Sequence, residues 1–318
     1  MWDDEPDPTA MFISPLSVNG NSIVVRVSPG DRAGSPAHVV LDPATECVTV
    51  ENSAVTVADS IVEPLNVTRE WKERTNTIVV SGQIASGDSG HTGRLSLWQP
   101  EWYFLDVFAG SLRRSGIDVQ GTIVDTVTAG ATELLRLSHR LDSVVAYMNK
   151  TSDNLSAENV LKVLSAEGRT TPGSAEGGVA ILRRFMGSAG IDTLQTVQVD
   201  GSGESRYNLL SPDSMVRLLV AMHADTGTFP VFFNSLPIAG REGTLSGRMR
   251  GSPAESSLRA KTGTLAGVSC LSGYVRTSDG ELLAFSIMMQ GIPGSIRPYR
   301  LVQDRIGAFL STISLQRL

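Results

Sequence analysis

The spacing of apolar residues changes character twice along the chain, and each change narrows the folds open to it. Up to about residue 95, apolar and polar residues alternate in the short runs SIVVRV, HVVLD, CVTVE and TIVVSGQI, separated by the turn-forming stretches SPGD, DPAT and SGDSG. A period of two bounded by Gly, Pro and Asp predicts an all-β region. From about residue 100 the period lengthens to that of a helix. PEWYFLDVFAGSLRRSGI sets Trp102, Leu105, Phe108 and Leu112 on one face and stops at Gly116, while DSVVAYMNK and SAENVLKVLSAEG predict two more helices. Ser174 is placed to cap a segment ending near Gly187, and Ser211 with Pro212 opens SPDSMVRLLVAMHAD with a cap and a first-turn proline. The last third returns to alternation. SSLRAKTGTLAGVSCLSGYVRT, a turn at Asp279-Gly280 and ELLAFSIMMQ predict an antiparallel hairpin, with PYRLVQDRIGAFLSTI as a closing helix. A β-rich part, residues 1–120, is thus expected ahead of an α+β part, residues 121–318.

At 318 residues and 41% hydrophobic content the chain can bury a large core. A net charge of -6 without a basic run argues against a nucleic-acid surface. No apolar run approaches the roughly 20 residues that span a bilayer, and the acidic start MWDDEPDPTA lacks the apolar stretch of a signal peptide. Cys47 and Cys270 match no CxxC spacing and are expected as buried free thiols. His38, His91, His139 and His223 form no ligand pair, so a metal site is not expected.

Three short constellations carry possible chemistry. In TSDN, Ser152 and Asn154 fall in a link between two helices, where both side chains could enter a cleft; taken alone, these are ordinary turn and cap residues. Lys261, Thr262 and Gly263 lie on a strand. A lysine and a hydroxyl there can hold a substrate carboxylate, and a glycine lets substrate backbone approach; a surface lysine on an edge strand is the plain alternative. DGSGESR, Asp200 to Arg206, reads as a Gly-rich turn without the spacing of a phosphate loop. A fourth stretch, GDSGH at Gly87 to His91, resembles the nucleophile loop of trypsin-like proteases with His38 upstream. Its second glycine is replaced and about fifty residues are too few for a double barrel, so a polar turn accounts for it better.

In this order, an SxN segment followed by a KTG strand matches the second and third signatures of the penicillin-recognising serine acyltransferases. The runs KTSDNLSAENVLKVL, VDGSGESRYNLLSP, LPIAGREGTLSGRMRG and LRAKTGTLAGVSCLSGYV resemble the D-alanyl-D-alanine carboxypeptidase/endopeptidase family, the low-molecular-mass penicillin-binding proteins with inserted domains. The resemblance implies a transpeptidase-like α+β domain, an antiparallel sheet flanked by helices, in residues 121–318, with residues 1–120 as the remainder of a β-rich insertion. It also implies an acyl-enzyme on peptidoglycan stem peptides, reaction with β-lactams, no cofactor, and a place in the periplasm or outside the cell envelope. Ser152 would relay a proton, Asn154 would hold the substrate amide, Lys261 and Thr262 would bind the terminal carboxylate, Gly263 would leave room for the substrate backbone, and the Thr264 N–H would serve an oxyanion hole. The family's first signature, SxxK, is missing here: three residues before Lys72, Lys150, Lys162 and Lys261, all the lysines of the chain, stand Arg69, Tyr147, Asn159 and Leu258. The expectation is therefore a C-terminal portion of a longer enzyme, with nucleophile and signal peptide upstream and no activity on its own. A non-catalytic peptidoglycan-binding protein, or a β-lactamase or esterase of the same superfold, are the alternatives.

Overall fold

The computed structural model describes residues 5–120, 132–168, 172–314 and 316. The chain divides into two compact units, Met1–Leu135 and Arg136–Leu318. The boundary expected at 120/121 adjoins residues 121–131, which lie outside the described residues.

In the first unit the alternating runs form strands as expected. β1 (Ser22–Ser28) is the centre of an antiparallel sheet between β2 (His38–Asp42) and β8 (His91–Ser96). Its residues Ile23, Val25 and Val27 point into a core shared with Ile78, Val80 and Leu97. Two smaller sheets use β3 (Thr49–Asn52), β5 (Asn66–Arg69) and β6 (Thr77–Ser81), and β4 (Val55–Val57) with β7 (Gln83–Ala85). The run TIVVSGQI, expected as one strand, is broken into β6 and β7 at Gly82. That residue has φ +88°, and a Cβ there would meet the Pro64 carbonyl oxygen at 2.3 Å, so only glycine lets the chain turn this close to its neighbour. GDSGH falls in the turn from β7 to β8, where the Asp88 carboxylate accepts the Gly90 N–H, and His38 stands at the start of β2 beside Asp31.

Helix α1 (Pro100–Arg114) forms where the helical period begins, but the expected face is turned outward. Trp102 and Phe108 are exposed, whereas Tyr103 is buried with its hydroxyl accepting from Asn19 Nδ2 at 3.1 Å. Apolar side chains line nearly every side of this helix, so periodicity left the choice of face open; Tyr103 wins because it fills the core and satisfies its hydroxyl.

The second unit is built on the predicted hairpin, but the arm expected as one strand is split in two by a turn at Ala266-Gly267, where Gly267 takes φ 75°. β9 (Leu258–Leu265), β10 (Val268–Arg276) and β11 (Leu282–Gln290) form an antiparallel sheet in the order β11-β10-β9, with Lys261 opposite Ser272 and Gly263 opposite Cys270. Alternation sorts its side chains onto two faces. On one, Leu258, Ala260, Leu271, Val275 and Phe285 form a core against α7 (Arg297–Thr312), whose buried Gln303 amide donates to the Ser269 carbonyl at 3.0 Å. On the other, Tyr274 packs among Phe229, Phe232 and Phe233 of α6 (Phe229–Ser235) and donates its hydroxyl to the Leu219 carbonyl of α5 (Pro212–Ala224) at 2.6 Å. Helices α2 (Leu141–Thr151), α3 (Asn154–Glu167) and α4 (Ala175–Ser188) complete the unit, α2 being tied to α6 by Asn149 donating to the Ser235 hydroxyl at 2.7 Å. Ser174 and Ser211 cap α4 and α5 as read from the sequence. The result is an α+β layer structure with helices on both faces of an antiparallel sheet.

Candidate active site

The link between α2 and α3 is one sharp turn. Ser152 ends α2 in the left-handed region, φ 60° and ψ 49°, a conformation costing a non-glycine residue on the order of 1 kcal/mol. Asp153 follows as the N-cap of α3, its carboxylate accepting the Ser156 N–H at 2.8 Å. With Asp153 committed to the cap, Ser152 and Asn154 on either side of it project from the corner.

On β9, Leu258 and Ala260 belong to the core beneath α7, so strand alternation sends Lys261 to the other face. There its Nζ donates to Ser152 Oγ at 2.6 Å, across 109 residues of sequence, and to the Thr262 carbonyl at 2.8 Å. Burial pushes the Lys261 ammonium down from its ordinary 10.5 to about 8. Near neutral pH such a group is a cation that binds an anion, yet it can surrender a proton with little driving force.

The other residues singled out in the sequence occupy the same strand. Thr262 donates its hydroxyl to that of Thr244 at 2.9 Å. Gly263 pairs with Cys270, and the exposed Thr264 accepts from Arg300 Nη2 at 2.9 Å through its hydroxyl. Thr244 lies on the short 3-10 turn Gly243–Leu245, held against the end of α2 by a 3.0 Å ion pair between Glu242 and Lys150. The segment behind Thr262 is thereby linked to the helix that carries Ser152.

The DGSGESR turn, uninformative in the sequence, lies between the two motifs. Buried Glu158 of α3 accepts the N–H groups of Gly201 and Ser202, each at 2.9 Å, and the Ser202 hydroxyl at 2.8 Å. Asp200 accepts the N–H groups of Gly203 and Ser205 at 2.8 and 2.7 Å. The loop so fixed sends Glu204 to one side, where it accepts from Asn154 Nδ2 at 2.8 Å, and Arg206 to the other, where it donates to the Ala266 carbonyl just past β9 at 2.8 Å. Beside it a cavity of about 430 Å³ is lined by Arg206, Leu209, Leu265, Cys270 and Met288 among others. Thr244, Glu204, Arg206 and Arg300 were given no role from the sequence, although the runs VDGSGESRYNLLSP and LPIAGREGTLSGRMRG that hold the first three carried part of the resemblance. No three metal-ligating side chains come together among the described residues.

The sequence profile of the D-Ala-D-Ala carboxypeptidase 3 (S13) family matches residues 1–310. The chain belongs to this family. It is 34% identical to the D-alanyl-D-alanine carboxypeptidase of Actinomadura sp. (strain R39) over 97% of its own length, and spans 59% of that relative's length. The fold of the chain is also that of the crystal structure of penicillin binding protein 4 from Haemophilus influenzae, which superposes with a TM-score of 0.83 at 21% identity, covering 98% of this chain and 71% of the other. A second crystal structure of that protein, complexed with a β-lactam, gives a TM-score of 0.77 at 22% identity over 95% of this chain and 72% of the other. The resemblance read from the SxN and KTG runs is thus confirmed at the level of family, and the transpeptidase-like α+β architecture at the level of fold.

Proposed function

We propose that the second unit carries the SxN and KTG half of a serine-type D-Ala-D-Ala carboxypeptidase acting on peptidoglycan stem peptides outside the cytoplasm, and that the first unit is part of a β-rich domain inserted ahead of it. The observation that carries this reading is the 2.6 Å bond between Lys261 and Ser152, made by a lysine whose burial lowers its pKa to about 8. Lys261 and the Thr262 hydroxyl bind the terminal carboxylate of a D-Ala-D-Ala peptide, and Gly263 admits its backbone. Ser152 passes a proton toward the departing D-alanine amine while Lys261 holds its hydroxyl in line. Asn154 engages the peptide amide preceding the scissile bond. The Thr264 N–H polarises the scissile carbonyl together with a second donor at the nucleophile. Water then hydrolyses the acyl-enzyme.

The acylating serine of this scheme is not among these 318 residues, since none of the four lysines has a serine three positions before it. That fact favours a second reading, a protein that binds stem peptides without cleaving them. A fluorescent penicillin applied to the protein as its own cells make it, followed by mass mapping, separates the two. One adduct per molecule on a serine three residues before a lysine, outside these residues, supports the carboxypeptidase. No adduct, with stem peptides still bound, supports the binding protein. The isolated 318-residue chain is expected to give no adduct; an adduct on any of its own residues would overturn the assignment of roles.

A further inference from the structure

Resting on that reading, we propose that Glu204 is a positioning residue that sets the orientation of the Asn154 amide, and through it selects acyl donors bearing an amide N–H beside the scissile carbonyl. The Glu204 carboxylate takes the Asn154 Nδ2–H at 2.8 Å. An ionised carboxylate accepts hydrogen bonds and donates none, so only the NH2 end of the amide can face it; the Asn154 carbonyl oxygen is turned to the opposite side of the group. That oxygen has two lone pairs, so it can accept an N–H from a substrate whatever else it meets. A side-chain amide without such a partner can present either end, and half of its orientations would offer the substrate N–H another donor.

Glu204 is suited to the task because its loop is held from below and from the side. Glu158 and Asp200 accept five backbone and hydroxyl protons between them within Gly201–Ser205. A Cβ at Gly201 would meet the Ala157 carbonyl oxygen at 2.5 Å, so the loop lies directly on α3, the helix that Asn154 begins. Arg206, two residues on, fastens the same loop to the turn after the KTG strand. The backbone at Glu204 is therefore fixed relative to α3, and the exposed Glu204 side chain spans the remaining distance to Asn154.

The test compares two ligands with the same bicyclic nucleus and carboxylate, of which only one has an acylamino side chain: benzylpenicillin and 6-aminopenicillanic acid. Reversible affinities for the 318-residue chain are measured by titration of amide chemical shifts. For Glu204→Gln, whose amide can donate to the Asn154 oxygen and admit the flipped orientation, benzylpenicillin is expected to weaken about three- to tenfold, the range of one hydrogen bond, with 6-aminopenicillanic acid changed less than twofold. Asn154→Ala is expected to show the same selective loss, and adding Glu204→Gln to it should cost nothing more. An unchanged ratio of the two affinities in Glu204→Gln, or equal weakening of both ligands, overturns the proposal while leaving the carboxypeptidase reading intact. Failure of both ligands to bind the wild-type chain overturns that reading, and this proposal with it.

Discussion

At the scale of single residues, the site places a lysine where solvation is poor, and that has a measurable cost. The Lys261 pKa is about 8 in the folded chain against 10.5 when exposed, so the unfolded state binds more protons between those values and stability rises with pH across that window. Below pH 8 the penalty is complete, at up to about 3 kcal/mol for a shift of this size. Lys261→Met removes the charge and keeps the stem, so it is expected to be more stable than wild type at pH 7, by that amount less the value of the bonds to Ser152 and Thr262. The difference should shrink from pH 8 to pH 10.5. Urea titrations at pH 7 and pH 10 check this; a difference that does not narrow would mean that Lys261 is not desolvated. Ser152, Asn154 and Lys261 could be found in the sequence because two short motifs in a fixed order name them. Glu204 and Arg300 could not, since their partners lie 50 and 36 positions away and only the fold makes them neighbours.

At the scale of elements, most of what the sequence foretold rests on period and caps. The hairpin of β10 and β11 around Asp279-Gly280, α5 opened by Ser211 and Pro212, and α7 were all visible, because each obeys a local rule that its packing reinforces; the turn that separates β9 from β10 was not. What local rules miss is close approach. Gly178 sits inside α4, where replacing glycine by alanine ordinarily gains about 1 kcal/mol of helix stability. Here the sign should reverse. A Cβ at 178 would meet the Leu161 carbonyl oxygen at 2.2 Å and the Leu161 side chain at 2.8 Å, so α3 and α4 must move apart. Gly178→Ala is expected to lose roughly 1 to 3 kcal/mol, the usual cost of overpacking, whereas Gly187→Ala, which meets nothing nearer than 3.8 Å, should not destabilise the chain. Chemical denaturation of the two variants side by side decides it, and equal effects would remove close helix packing as the explanation.

At the scale of the molecule, the shift from a period of two to a mixed pattern foretold a β-rich part and an α+β part, but it could not say whether each closes a core of its own. The structure answers through the membership of the cores. Ile23, Val25, Ile78, Val80 and Tyr103 form one cluster entirely within the first unit, while Leu258, Leu271, Phe285, Tyr274 and Leu219 form clusters entirely within the second. No buried side chain of these clusters is shared between units. A core closed by residues of one unit alone is what lets that unit unfold as its own cooperative step. Residues 136–318 expressed alone are therefore expected to fold, with the near-ultraviolet signal of Tyr274 and its phenylalanine neighbours, and to melt in a single transition. The 318-residue chain should melt in two, one of them matching the fragment. A fragment lacking cooperative unfolding would show that the second unit draws its stability from the first, and the Lys261 site would then be a property of the whole chain rather than of the hairpin and helices that build it.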